Sequence, residues 1–103
     1  MEKTGLDLTR KTIGILPLKG FALMAYASTV EPFRAANVLS RMPLYDVVNI
    51  GLNNDPISSS GAGSISPQVT IKDKIEFDYL FVVAGGNPVI YENKTVFSWL
   101  GRM

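Results

Sequence analysis

The chain contains no cysteine and no histidine among its 103 residues. The lack of cysteine excludes disulfides, thiolate metal sites and a cysteine nucleophile from these residues. The lack of histidine removes the side chain that most often serves as a general base near neutral pH. The nine Asp and Glu residues do not have the spacing of a metal-binding loop. We therefore predict no metal site, no cofactor and no complete enzyme active site within this chain.

Strong charge and long apolar runs are also missing. The net charge is +1 and the basic residues are scattered, so the chain generates no field that would attract nucleic acid directly. No apolar run approaches the ~20 residues that span a bilayer. The polar N-terminus MEKTGLDLTRKT is not followed by the apolar core of a signal peptide. We expect a soluble, cytoplasmic chain without membrane contact, and the 47% hydrophobic content suits one small globular domain.

Three segments predict buried strands. Thr12 to Leu18 and Tyr45 to Leu52 are short and rich in β-branched and aliphatic residues. Asp78 to Ala84 contains a continuous apolar run, which is typical of a strand buried on both faces of a parallel sheet. Residues 57–73 are small, polar and rich in glycine, which favours short strands or an irregular hairpin. Together these segments predict an α/β domain.

Helical spacing follows the first strand but is interrupted. Pro32 lies inside the apolar pattern and cannot donate a helical hydrogen bond. Ser28 and Glu31 have the spacing of a capping box at the same place. We predict a short first turn over Ala22 to Ala27 and a firmer helix over Thr29 to Leu39, and the sequence leaves open whether the two are continuous.

Two other features of the helical segments have more than one interpretation. Glu31 and Arg34 could reach a ligand or a partner subunit, although a cap and a local ion pair are the simpler interpretation. Glu92 to Met103 predicts another helix, and Trp99 on it is best interpreted as a core residue.

The segment Gly85-Gly86-Asn87 is a candidate binding site because it directly follows a buried strand. Successive amides there could form an anion-binding nest, or the glycines could simply permit a tight turn. The run Ser58-Ser59-Ser60 invites comparison with a serine nucleophile. It has neither a strand–elbow–helix context nor a histidine to activate a hydroxyl. We therefore interpret the serine run as a solvated loop.

Several of these segments together resemble one known family. They are GILPLKGFALMAYASTVEPFRAAN, YDVVNIGL, SSSGAGSISPQ and DYLFVVAGGNP. The chain resembles the N-terminal sensor domain of bacterial AraC-type transcription regulators, in which a class I glutamine amidotransferase-like domain of the PfpI type precedes a helix-turn-helix domain. The resemblance covers residues 12–103, which would form part of that domain, and residues 1–11 would be a polar lead-in.

The resemblance implies a flavodoxin-like, three-layer α/β sandwich with a mostly parallel sheet. The cysteine elbow of catalytic relatives would lie beyond Met103, so the chain would be a truncated domain. Catalytic relatives also carry an acidic side chain at the position that aligns with Ala25. Because alanine cannot accept a hydrogen bond from a thiol, the resemblance implies a non-catalytic sensor.

The same resemblance implies a ligand and a partner. The ligand would be a small effector, an amine or amino-acid-like molecule such as carnitine, a betaine derivative or arginine. It would bind at the carboxyl ends of the strands, where open α/β sheets bind ligands. The residues expected to bind it are Phe21, Ala25, Gly85, Gly86 and Asn87. The protein would act as a homodimer whose DNA-binding domains are absent from this chain.

Two other functions stay open at this point. The chain could be a fragment of a PfpI-like cysteine hydrolase, deglycase or chaperone, with its nucleophile beyond the chain end. It could instead be a standalone interaction module that pairs its unfinished sheet with another chain, because an open sheet edge favours association.

Overall fold

A computed structural model describes residues 10–85 and 94–102 of the protein. Two helices and six strands occur in these ranges. In chain order they are β1 (Lys11–Pro17), α1 (Leu23–Ser40), β2 (Tyr45–Gly51), β3 (Ile57–Ser58), β4 (Ser64–Ile65), β5 (Val69–Thr70), β6 (Tyr79–Val83) and α2 (Lys94–Gly101).

Four of the strands form one parallel sheet in the order β5-β2-β1-β6. β1 is central and pairs with β2 from Lys11 opposite Tyr45 onward, and with β6 from Ile13 opposite Tyr79 onward. β3 and β4 form a separate antiparallel hairpin. The chain leaves β1 toward β2 in one direction and later returns to β6 on the other side, so the topology reverses between β1 and β6.

Each face of this sheet contacts a helix. Alternate residues of β1 point to opposite faces: Ile13 and Ile15 pack with Phe21 and the inner side of α1, and Leu16 packs with Ile50 and Trp99 of α2. The domain therefore has three layers, with the sheet between the two helices. The flavodoxin-like three-layer arrangement with a mostly parallel sheet is thus confirmed, as is the core position of Trp99.

The first helix is continuous, which settles the alternative that the sequence left open. α1 runs from Leu23 to Ser40 with Pro32 inside it. Ser28 does not begin a second helix, and Glu31 pairs with Arg34 instead of capping. A proline in a helix interior removes one backbone hydrogen bond, and here the packing of the inner face of α1 outweighs that loss.

The carboxyl end of α1 is fastened to the start of β2 by Asn37. Its amide nitrogen donates to the Tyr45 carbonyl at 2.8 Å, and its amide oxygen accepts from the Tyr45 backbone N–H at 2.9 Å. The Asn37 side chain thus bonds to Tyr45 in the way that a neighbouring strand would. These two hydrogen bonds fix the position of the end of α1 relative to the start of β2.

Replacing Asn37 by alanine should therefore lower the free energy of unfolding by about 2 kcal/mol, because two partly buried backbone groups of Tyr45 lose their partner. Urea denaturation followed by Trp fluorescence measures this loss. Asn54→Ala, in the exposed turn after β2, is the matched control and should change stability by less than about 0.5 kcal/mol. Equal effects of the two substitutions would contradict the fastening role.

One prediction about the sheet was wrong. β6 was expected to be buried on both faces, but Tyr79, Phe81 and Val82 are 57%, 39% and 42% exposed. The physical reason is position: β6 pairs with β1 on one side and is the last strand of the described sheet on the other.

Within the described residues, no helix is long and apolar enough to cross a membrane.

Candidate functional site

The candidate site lies at the carboxyl ends of β1 and β6. These neighbouring strands are the two between which the topology reverses, and such a reversal opens a crevice in which α/β proteins bind ligands. The segments that border it are the β1–α1 loop, the residues after β6 and the β3–β4 hairpin.

Backbone hydrogen bonds tie the β1–α1 loop to the end of β6. The Leu18 N–H donates to the Val83 carbonyl at 2.9 Å, and the Ala22 N–H donates to the Ala84 carbonyl at 3.1 Å. The parallel pairing of β1 with β6 thus continues past the last residue of each strand. Two backbone hydrogen bonds therefore hold the loop against the end of β6.

A second set of hydrogen bonds ties the same loop to the β3–β4 hairpin. The Gly20 N–H donates to the Ser58 carbonyl, and the Ser60 N–H donates to the Phe21 carbonyl, both at 2.8 Å. Phe21 and Ser59 form an isolated parallel bridge. We call the three joined segments, Leu18–Ala22, Ser58–Ser60 and Val83–Gly85, the mouth platform.

Two glycines meet at the centre of the mouth platform. Gly20 has φ of 83°, in the left-handed region that favours glycine. A Cβ placed on Gly85 would lie 1.9 Å from the Gly20 carbonyl oxygen. Only glycine fits at position 85, because the neighbouring atom belongs to the backbone and cannot rotate away.

The structure places the predicted ligand-binding residues in different environments. Phe21 is fully buried and its ring packs with Ile13, Ile15 and Val83. Its N–H donates to the Leu18 carbonyl and its carbonyl accepts from the Ser60 N–H, so it presents no surface to the crevice. Ala25 is exposed in the first turn of α1, and Gly85 is half-buried in the mouth platform. Gly86 and Asn87 lie outside the described residues.

Charge is scarce around this crevice. Lys19 is the only charged side chain among the described residues of the mouth platform. No group of three or more acidic side chains that could hold a metal ion occurs in residues 10–85 or 94–102. The resolved pKa shifts lie away from the crevice, on Glu31 and Arg34 of α1. Within the described residues, Lys19 is therefore the one charge that the mouth platform contributes to this crevice.

The Ser58–Ser60 segment is the part of this region that the sequence did not indicate. It was interpreted as a solvated loop, yet the Ser59 side chain is buried and its hydroxyl oxygen accepts from the Gly61 N–H at 3.1 Å. Its backbone forms one side of the mouth platform. Small residues in SSSGAGS permit this close approach, but nothing local in the sequence specifies that the partner is the β1–α1 loop.

No family model matches the chain. The chain is 40% identical over 76 residues to the HTH-type transcriptional regulator GlxA of Rhizobium meliloti, covering 74% of this chain and 24% of the relative. It is 31% identical over 88 residues to the HTH-type transcriptional regulator CdhR of Pseudomonas aeruginosa, covering 85% of this chain and 26% of that relative. The chain thus spans about a quarter of the length of these relatives.

Solved structures share the fold at lower identity. A putative transcriptional regulator from Vibrio parahaemolyticus matches with a TM-score of 0.72 and 17% identity, over 89% of this chain and 50% of that one. A ThiJ/PfpI family protein from Pseudomonas syringae matches with a TM-score of 0.65 and 17% identity, over 97% of this chain and 43% of that one. The predicted resemblance is confirmed: the chain is a homologue of the GlxA-type helix-turn-helix transcriptional regulators, and its fold is that of the DJ-1/ThiJ/PfpI proteins.

Proposed function

We propose that this chain is the N-terminal part of an effector-sensing domain of an AraC-type transcription regulator. It binds a small molecule and does not catalyse a reaction. The observation that carries the proposal is the reversal of the sheet between β1 and β6, the kind of position at which α/β proteins bind ligands, in a chain related to transcription regulators. The alternative of a PfpI-like hydrolase is not favoured, because the curated relatives are named as regulators.

The proposed effector site consists of Gly85, Gly86, Asn87 and the exposed face at Ala25, with the buried Phe21 supporting it from beneath. The effector class is a small amine or an amino-acid-like molecule. The small residues of the mouth platform, where Lys19 is the one charge among the described residues, support this proposal, because a compact ligand can approach the backbone closely wherever glycine, alanine and serine line the surface.

We also propose that the regulator acts in the cytoplasm as a homodimer, and that this segment does not contact DNA. The low net charge and scattered basic residues support the last point. Effector binding would change the geometry of the dimer, and with it the placing of the DNA-binding domains.

Isothermal titration of the chain with glycine betaine, carnitine and arginine tests the binding proposal. We expect a saturable one-site isotherm with at least one of the three. Ala25→Lys places a long charged side chain on the first turn of α1 and should weaken binding about ten-fold or more, because it occupies the space proposed for the effector.

The matched control is Glu76→Gln, which raises the net charge by the same amount at the amino-terminal end of β6, on the opposite edge of the sheet. It should leave binding unchanged. Absence of binding to every compound by the unsubstituted chain would overturn the effector proposal, and equal weakening by both substitutions would overturn the location of the site.

A further inference from the structure

The turn that leaves β1 holds one lysine in a fixed place. The Phe21 N–H donates to the Leu18 carbonyl at 2.8 Å, which closes a β-turn with Lys19 and Gly20 at its centre. Gly20 has φ of 83°, as a type II turn requires at its third residue. The N–H groups of Leu18 and Gly20, on either side of Lys19, donate to β6 and to the hairpin. The backbone of Lys19 is therefore anchored from both sides.

The side chain of Lys19 is exposed and has no carboxylate beside it. Lys19 belongs to no ion pair in the described part of the chain. The mouth platform contains no Asp or Glu, because its segments read LKGFA, SSS and VAG. The first turn of α1, which follows directly, has no acidic residue either. No group of these segments therefore neutralises the Lys19 ammonium.

The backbone of the mouth platform has little left with which to bind an anion. Most of its amides already donate to carbonyls, namely those of Leu18, Gly20, Phe21, Ala22, Ser59 and Ser60. An anion could take these amides only by breaking the hydrogen bonds that join the three segments, and each broken bond costs stability. Within the described platform, the donors that remain on side chains are the Lys19 ammonium and the hydroxyls of the exposed Ser58 and Ser60.

A cation without a counter-charge selects among effectors by their charge. The Lys19 ammonium attracts a carboxylate and repels a second ammonium group. A hydrogen bond between an ammonium group and a carboxylate is also about twice as strong as a hydrogen bond between neutral groups. An amine that carries only positive charge is therefore disfavoured here. A zwitterion is favoured, because it can present its carboxylate to Lys19 and keep its cationic nitrogen at a distance.

We propose that Lys19 determines the specificity of the effector site by binding the carboxylate of the effector. The site accordingly takes compounds that carry a carboxylate together with a cationic nitrogen, and it rejects amines that lack the carboxylate. This assignment rests on the proposed function and narrows its effector class. It places the carboxylate at the β1–α1 turn, on the side of the hairpin residues Ser58 and Ser60 whose backbone bonds to that turn.

Three pairs of compounds test the role of the carboxylate. Agmatine is arginine without its carboxylate, choline has a hydroxymethyl group where glycine betaine has a carboxylate, and carnitine methyl ester has lost the negative charge of carnitine. Isothermal titration of the unsubstituted chain should give a dissociation constant about ten-fold lower, or more, for the carboxylate-bearing member of the pair that binds. Raising the ionic strength should narrow this ratio, because salt screens exposed charges.

Substitutions at Lys19 test the residue. Lys19→Met removes the charge and keeps most of the side-chain length, so it should raise the dissociation constant of the carboxylate-bearing compound about ten-fold. The carboxylate-free compound should bind equally well or better. Lys19→Arg keeps the charge and should preserve the discrimination. Lys11→Met, the matched control, removes an exposed lysine at the opposite end of β1 and should change neither affinity. Urea denaturation checks that all variants are folded.

The possible results separate this assignment from the proposed function. Equal affinity of the unsubstituted chain for both members of a pair would overturn the role of the carboxylate and leave the effector proposal standing. Discrimination that persists in Lys19→Met would overturn the assignment to Lys19, as would an equal loss in Lys11→Met, which indicates an effect of net charge alone. If the unsubstituted chain bound no compound, the proposed function would fail, and the assignment with it.

Discussion

Replacing Gly85 by alanine should lower the free energy of unfolding by about 3 kcal/mol or more, the upper part of the range for overpacked sites. The added Cβ would lie 1.9 Å from the Gly20 carbonyl oxygen and 2.9 Å from its carbon. Relief requires the β6 end and the β1–α1 loop to separate, which breaks the hydrogen bond from Ala22 to Ala84. Urea denaturation followed by Trp fluorescence measures the loss.

Gly61→Ala is the matched control for this substitution. A Cβ on Gly61 has no heavy atom within 4 Å, and its φ is outside the left-handed region. The control should change stability by less than about 0.5 kcal/mol, and it could be slightly stabilising because alanine restricts the unfolded chain. If Gly85→Ala were as stable as the control, the close packing of the mouth platform would be refuted.

Replacing Phe21 by alanine should cost about 3–5 kcal/mol of unfolding free energy, the range for a buried aromatic residue. Phe21 is fully buried against Ile13, Ile15 and Val83, and its ring lies 5.9 Å from that of Tyr26. Its removal leaves a cavity directly beneath the mouth platform. Urea denaturation detects the loss, and effector titration of the milder Phe21→Leu separates the core role of the ring from any role in binding.

Phe81→Ala is the control, because it removes the same ring from a position that is 39% exposed. Its cost should be about 1 kcal/mol, since less of the ring is withdrawn from water on folding. If Phe81→Ala were as costly as Phe21→Ala, burial at position 21 would not be the source of the effect.

The sequence predicted the strands well because their information is local. The apolar run within Asp78 to Ala84 and the β-branched and aliphatic residues of Thr12 to Leu18 identify β-structure through composition alone. The burial of β6 was predicted less well. A hydrophobic run shows that a strand can be buried, but it does not show how many strands and helices pack against that strand. Its place at the end of the described sheet is a property of topology.

The helix α1 and the candidate site also depend on long-range contacts that the local sequence does not show. Pro32 and the capping-box pattern at Ser28 suggested a break, but tertiary packing of Tyr26, Val30 and Phe33 holds one continuous helix. Gly85 was identified from its position after a strand. Its contact with Gly20 joins residues 65 positions apart, and the bridge from Phe21 to Ser59 is similarly long-range. Neither contact has a local signal.

The mouth platform has a consequence for the timescale on which this region moves. Loops normally exchange their amide protons quickly, because they open at little cost in free energy. Here the amides of Leu18, Gly20 and Ala22 donate to the backbone of β6 and of the hairpin. Their exchange should therefore be as slow as that of the β1 amides. The mouth platform should open only together with the centre of the sheet. An effector would therefore bind to a preformed surface and would not have to order a mobile loop.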